Sequence, residues 1–275
     1  MTYRQLLCEA QKRGLPTHEA QLLLEQVFGL SRTALLIHID EPCDEGKLSA
    51  FEQLLSRRLS GYPLQYLLGE WEFYGLPFYV GEGVLIPRAD TEVLVETALE
   101  LCDGKFSPAI CDLCSGTGCI PIAMSKTLTP QASFTAVELS DEALSYLRRN
   151  KERHHCDNLT VVQADVLTWE PNRQFDLITA NPPYISAQEM QELQTEVRCE
   201  PSMALAAPED GLYFYRILSQ RCTRFLAPGG WLVFEIGYRQ GEAVQNFLWQ
   251  NGYHEIHLIH DYSGNDRVVA GRWDG

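Results

Sequence analysis

From residue 109 onward, short apolar or β-branched runs alternate with segments of helical spacing. That alternation restricts the fold more than any other feature of the chain. The runs are residues 109–113, 133–137, 159–163, 175–180 and 231–236; the helical segments between and after them are 120–128, 141–150, 212–225 and 240–249. Strand, helix, strand in steady succession predicts a parallel sheet wound on both faces by helices. The tail breaks the pattern. Residues 254–260 and 267–272 flank Ser263-Gly264-Asn265 and predict two last strands closing as a hairpin, at least one antiparallel to the rest. The expected class is α/β, a Rossmann-like, mostly parallel, doubly wound sheet with a C-terminal antiparallel hairpin.

The first 70 residues follow a different rule. Leu6, Leu7 and Ala10 make one apolar stripe. Thr17 or His18 opens a second helix with Ala20, Leu23, Leu24, Val27 and Phe28, closed by Gly29. Ser31 caps a third around Leu35 and Leu36. A fourth carries Leu48, Phe51, Leu54, Leu55 and Leu59 before Gly61 and Pro63. This predicts a helical domain over 1–70, with no catalytic constellation and a role in contacting a partner. An aromatic stretch around Gly75-Leu76-Pro77 predicts a β-hairpin linker over 71–86. A larger domain then fills 87–275. At its start Asp90 or Thr91 is expected to cap a helix bearing Val93, Leu94, Val95, Ala98 and Leu99. The charges of Arg88 and Glu92 have no assigned role at this stage.

In open α/β sheets ligands bind beyond the carboxyl ends of the strands. Each strand here ends in a polar group suited to a nucleoside. The first runs into Cys114-Ser115-Gly116-Thr117-Gly118, where glycine lets backbone approach a ligand closely. Glu138 ends the second, about 20 residues past the glycines, where a carboxylate accepts ribose hydroxyls. Asp165, followed by Val166, ends the third, within reach of an adenine amino group. No third glycine stands at dinucleotide spacing, and no Gly-Lys-Ser/Thr phosphate loop occurs. A nucleoside without phosphates, S-adenosylmethionine, fits better than a nucleotide.

The fourth strand ends in Asn181-Pro182-Pro183-Tyr184. Proline donates no backbone hydrogen bond and pushes the residue before it out of helical geometry. An NH2 group has two hydrogens and needs two acceptors. The Asn181 side-chain oxygen and the Pro182 carbonyl supply them, with Tyr184 as a flat wall beside a planar group.

With these residues in view, the chain resembles class I S-adenosylmethionine-dependent methyltransferases, and in particular the PrmC/HemK family of release factor glutamine methyltransferases. The resemblance runs nearly end to end, through the helical N-domain, Phe73-Tyr74-Gly75-Leu76, Leu85-Ile86-Pro87-Arg88, the Asp112 loop, Asn181–Tyr184 and Gly264-Asn265-Asp266-Arg267. It implies methylation of the glutamine of the Gly-Gly-Gln loop in class 1 bacterial peptide chain release factors, leaving S-adenosylhomocysteine. It also implies cofactor contacts from Cys114, Ser115, Gly116, Thr117, Gly118, Glu138, Val166 and Asn181, with Asn181 through Tyr184 holding the substrate amide. The sequence departs from the family at Cys114, usually glycine, and at Ala89, usually proline.

An alternative substrate is an amino group of adenine or guanine in DNA or RNA, which asks for the same two acceptors. A third reading is a binding module that keeps the fold without catalysis; the intact Asn181 motif argues against it. A formal charge of −15 opposes broad binding to phosphate backbones and favours the protein substrate. Arg148, Arg149, Lys151, Arg153, His154 and His155 form one candidate basic patch, read as cations at a helix C-terminus. Nine cysteines in no framework spacing predict free thiols rather than disulfides or a metal site. The first residues lack a signal-peptide core and no apolar run spans a bilayer, so the cytoplasm is expected; no self-complementary apolar surface is readable, so a monomer is expected.

Overall fold

A computed structural model describes the whole chain, residues 1–275. It separates into two compact units, Met1–Glu70 with Gln194–Cys199, and Trp71–Leu193 with Glu200–Gly275.

The first unit is helical: α1 (Tyr3–Lys12), α2 (Thr17–Phe28), α3 (Arg32–Ile37), α4 (Leu48–Leu59) and α5 (Leu64–Leu68). Thr2 opens α1 with a capping box, its hydroxyl accepting from the Gln5 backbone while Gln5 Oε1 accepts from the Thr2 N–H. Gly29 closes α2 in the left-handed region, where a side chain is strained. The apolar stripes meet in one core built on Leu6, Ala10, Leu23, Leu24, Phe51 and Leu55. Fully burying one such Leu or Phe contributes about 1.5–3 kcal/mol. Arg58 forks onto Glu19 (2.5 and 3.0 Å) and reaches Glu196 at 2.8 Å, which ties Gln194–Cys199 to these helices.

The second unit opens with the hairpin β1 (Glu70–Phe73) and β2 (Leu76–Tyr79). Helix α6 (Glu92–Leu101) follows a 3-10 turn at Ala89–Thr91, and neither Asp90 nor Thr91 caps it with its side chain. Tertiary partners take both groups instead. Asp90 pairs with Arg267 at 3.2 Å, and Thr91 is buried beside Glu235. Glu92 accepts from the Tyr74 N–H at 2.8 Å, which fastens the hairpin to the start of α6.

The alternating region contains β3 (Ala109–Leu113), α7 (Cys119–Thr127), β4 (Ser133–Glu138), α8 (Asp141–Arg153), β5 (Leu159–Gln163), β6 (Phe175–Ala180), α9 (Ser202–Leu205), α10 (Tyr213–Cys222), β7 (Leu226–Glu235), α11 (Gly241–Gln250), β8 (His254–His260) and β9 (Asp266–Trp273). The sheet order is β5-β4-β3-β6-β7-β9-β8. All neighbours pair in parallel except those of β9, which runs antiparallel to both β7 and β8. Strand β7 starts five residues before the predicted run. Gly230 sits at a register shift where a Cβ would lie 2.8 Å from the Ala227 carbonyl oxygen and 3.1 Å from that of Phe175, so only glycine lets the strand continue.

Separate apolar cores cover the two faces of the sheet. Every residue of β3 is buried, as befits a central parallel strand. Arg149 and Arg153, from the basic stretch on α8, lie over the Tyr79 ring at 4.4 and 4.5 Å, so part of that charge is spent within the domain. Strand order reverses between β3 and β6. This switch point opens a crevice at the carboxyl ends of both strands.

Candidate active site

Register puts the two predicted motifs side by side. Leu113 pairs with Ala180 across β3 and β6, so the loop from Cys114 and the loop from Asn181 leave the sheet as neighbours. Ala180 also pairs with Phe234, which sets Glu235 beside Asn181 on the other flank. A cavity of about 520 Å³ opens here, walled by Cys114–Thr117, Glu138, Asp165, Val166, Asn181 and Pro183, together with the segments 83–88 and 201–204.

The glycine loop is shaped for close approach. Gly116 has φ +53°, and a Cβ built on it would meet no protein atom within 4 Å, so the space at that position belongs to the cavity. Cys114 holds φ +60°, a conformation that an L side chain adopts only with strain. Burial pushes its thiol well above the usual range. Glu138 is fixed by three backbone donors: Gly116 at 2.8 Å on one oxygen, Leu139 at 2.8 Å and Ser140 at 2.9 Å on the other. A carboxylate has roughly four acceptor positions, so about one remains for a ligand hydroxyl. Asp165 accepts from the Leu167 N–H at 2.9 Å and keeps its other oxygen for a partner.

Electrostatics decides which ligands suit the cavity. Glu138, Glu142 and Asp165 lie in its wall against a single cation, Arg88, itself paired with Glu200. A cavity with excess negative charge favours a cationic ligand and disfavours phosphates. S-adenosylmethionine, with a sulfonium, an ammonium and one carboxylate, fits these residues. Glu138 would hold the ribose, Asp165 and Val166 would border the adenine, and residues 114–117 would cradle the amino-acid end.

Three predicted residues lie outside the cavity wall. Gly118 caps α7 and packs on Leu147, where a Cβ would come within 3.1 Å. Pro182 is buried, and no backbone N–H engages its carbonyl. Tyr184 lies outside the cavity wall, whereas Pro183, the residue before it, lies in it. Its ring packs beside Gly237, and burial pushes the phenol up to about 12. Gln240 braces this turn, donating to the Tyr184 carbonyl (3.1 Å) while accepting from the Gly237 N–H (2.9 Å).

Two buried acids stand behind the cavity wall, Asp112 on β3 and Glu235 on β7, and the sequence reading assigned a role to neither. Asp112 accepts from the Thr179 hydroxyl at 2.7 Å; its second oxygen has no partner. Glu235 faces the Asn181 carboxamide and the Thr91 hydroxyl, and it too keeps an unpartnered oxygen. Desolvation raises both to about 7. Each is an acid inside an apolar strand. The same signal drew attention to Glu138 and would have found these two.

A seven-stranded sheet of this order, with a cavity at its switch point, is the class I methyltransferase fold. Solved structures support the fold. The ribosomal protein L11 methylase from Lactobacillus delbrueckii subsp. bulgaricus superposes with a TM-score of 0.51 at 19% identity, over 70% of this chain and 84% of that one. Residues 2–69 match the PrmC N-terminal domain, and residues 89–205 the methyltransferase small domain. The release factor glutamine methyltransferase of Geobacter sulfurreducens is 41% identical over 92% of this chain and 88% of its own length. That of Escherichia coli is 35% identical over 98% and 97%. The chain belongs to the release factor glutamine methyltransferase family.

Proposed function

We propose that this enzyme methylates the side-chain amide nitrogen of the glutamine in the Gly-Gly-Gln motif of class 1 bacterial peptide chain release factors, taking the methyl group from S-adenosylmethionine by direct in-line transfer. The observation that carries this reading is Asn181 in the cavity wall next to the glycine loop, in a chain of this family. The bound cofactor supplies an electrophilic methyl on a sulfonium.

An amide nitrogen is a poor nucleophile because its lone pair is shared with the carbonyl. Asn181 Oδ1 and the Pro182 carbonyl accept the two N–H hydrogens and aim the nitrogen at the methyl carbon. The cofactor would supply the methyl carbon and keep the electron pair of its carbon–sulfur bond on sulfur; the part of Asn181 and Pro182 is to hold the nitrogen in line with that carbon. The cationic amide then loses one proton to solvent. Positive charge grows on nitrogen during transfer, so both acceptors bind the transition state more tightly than the ground state. Positioning of this kind can supply about 7–11 kcal/mol, and no titratable base is needed at the nitrogen. Asn181 and Pro183 thus face the substrate from the cavity wall, and Pro182 acts only through its backbone carbonyl. Tyr184 acts from behind them, through the braced turn. The helical unit serves release factor recognition.

Incubation with methyl-labelled cofactor and either a release factor or bulk DNA and RNA tests the reading. Label on the glutamine of the Gly-Gly-Gln peptide supports it. Label on nucleic acid alone refutes it.

A further inference from the structure

Glu235 is the last residue of β7 and lies next to Asn181, because Ala180 and Phe234 pair in register. Its side chain is 2% exposed. One oxygen, Oε2, meets no donor at all. The backbone at this point is anchored as well, the fully buried Tyr215 donating its hydroxyl to the Glu235 carbonyl at 2.9 Å. A buried, under-satisfied carboxylate is a liability to folding, and nothing in the packing of β7 calls for one. Its neighbours are the Thr91 hydroxyl and the Asn181 carboxamide.

We propose that Glu235 is a positioning residue that sets which end of the Asn181 carboxamide faces the substrate. In its ionised form the carboxylate only accepts hydrogen bonds, and in that form it selects the NH2 end of Asn181 as its partner and turns Oδ1 toward the cavity. With Oδ1 outward, Asn181 is an acceptor for a substrate N–H. Flipped, it presents two donors to a group that also donates, and the grip fails. The Thr91 hydroxyl, buried at the start of α6, lies beside the carboxylate. Arg267 keeps a positive charge nearby, against Asp90 and the Tyr184 phenol. The assignment rests on the proposed role of Asn181 and adds what fixes it.

Glu235→Gln is the informative change, since a neutral amide offers both an acceptor and a donor and no longer discriminates between the two ends of Asn181. Turnover of a release factor is expected to fall 10- to 100-fold, while cofactor affinity stays within about twofold and the thermal midpoint is unchanged or higher. A residue needed only for packing would show the reverse, a lower midpoint with turnover near normal. Turnover within twofold of the wild type overturns the inference. The side-chain 15N–1H signals of Asn181, identified by their loss in Asn181→Ala, are read without any substrate. Slow exchange of this NH2 in the wild type and fast exchange in Glu235→Gln support the inference even if release factors prove not to be the substrate. Equal exchange in both overturns it, whatever the substrate is.

Discussion

Glu200 accepts both the Arg88 guanidinium and, at 3.0 Å, the backbone N–H of Ile86. One buried carboxylate thereby joins two segments of the cavity wall, residues 83–88 and 201–204. The Leu85-Ile86-Pro87-Arg88 motif, whose charge had no assigned role in the sequence, is a structural clamp. Glu200→Ala leaves the Ile86 N–H and Arg88 without their partner. Arg88 is partly exposed and can turn to water, so the expected loss is about 1–3 kcal/mol, read by urea unfolding, together with a raised KM for both substrates.

Asn181→Ala removes an acceptor that acts most strongly in the transition state. Turnover should fall at least 100-fold with cofactor affinity mostly intact, as measured by single-turnover methylation beside calorimetric binding. Near-normal turnover would contradict the proposed grip on the amide.

Gly116→Ala separates cofactor binding from folding. The added methyl meets no protein atom, so stability should drop only by the left-handed strain, about 1–2 kcal/mol. The methyl enters the cavity, and cofactor affinity should fall at least tenfold in a titration. Cys114→Gly acts in the opposite sense. It relieves φ +60° and should stabilise the apoprotein by about 1 kcal/mol without loss of methyl transfer, checked by denaturation and by label incorporation.

Asp112 and Glu235 should make the apoprotein less stable as pH rises. Both folded-state values are raised to about 7 by burial, above the ordinary carboxylate range near 4. Between pH 4 and 7 the folded state holds more protons than the unfolded chain. The stability these groups contribute is therefore complete below about pH 4 and lost as pH passes 7. At about 1.4 kcal/mol per pH unit, each group shifts stability by a few kcal/mol. Urea unfolding at pH 5.5 and pH 8 should show a loss in the wild type that shrinks in Asp112→Asn and again in Glu235→Gln. A wild type that gains stability over this interval, relative to both variants, would refute the assignment.

The alternation of strands and helices, the N-terminal helical stripes and the final hairpin were legible because each is a local periodicity. A period of 2 or 3.6 is written in consecutive residues. Glu138, Asp165 and Asn181 were legible too, since a polar residue that ends an apolar run marks a strand's carboxyl end. Pairing was not. Register between β3, β6 and β7 brings Cys114, Asn181 and Glu235 together from positions 114, 181 and 235, and no local pattern encodes which strand lies beside which. The same reason explains Thr91 and Tyr184. A cap is a local hydrogen bond, and Thr91 exchanged it for a partner on β7; a ring's direction depends on what packs behind it, and Tyr184 turned to Gly237. The chain by itself determined which groups are available for chemistry. Only the folded sheet decided which of them share a cavity, because sheet order and burial are set by contacts between residues far apart in sequence.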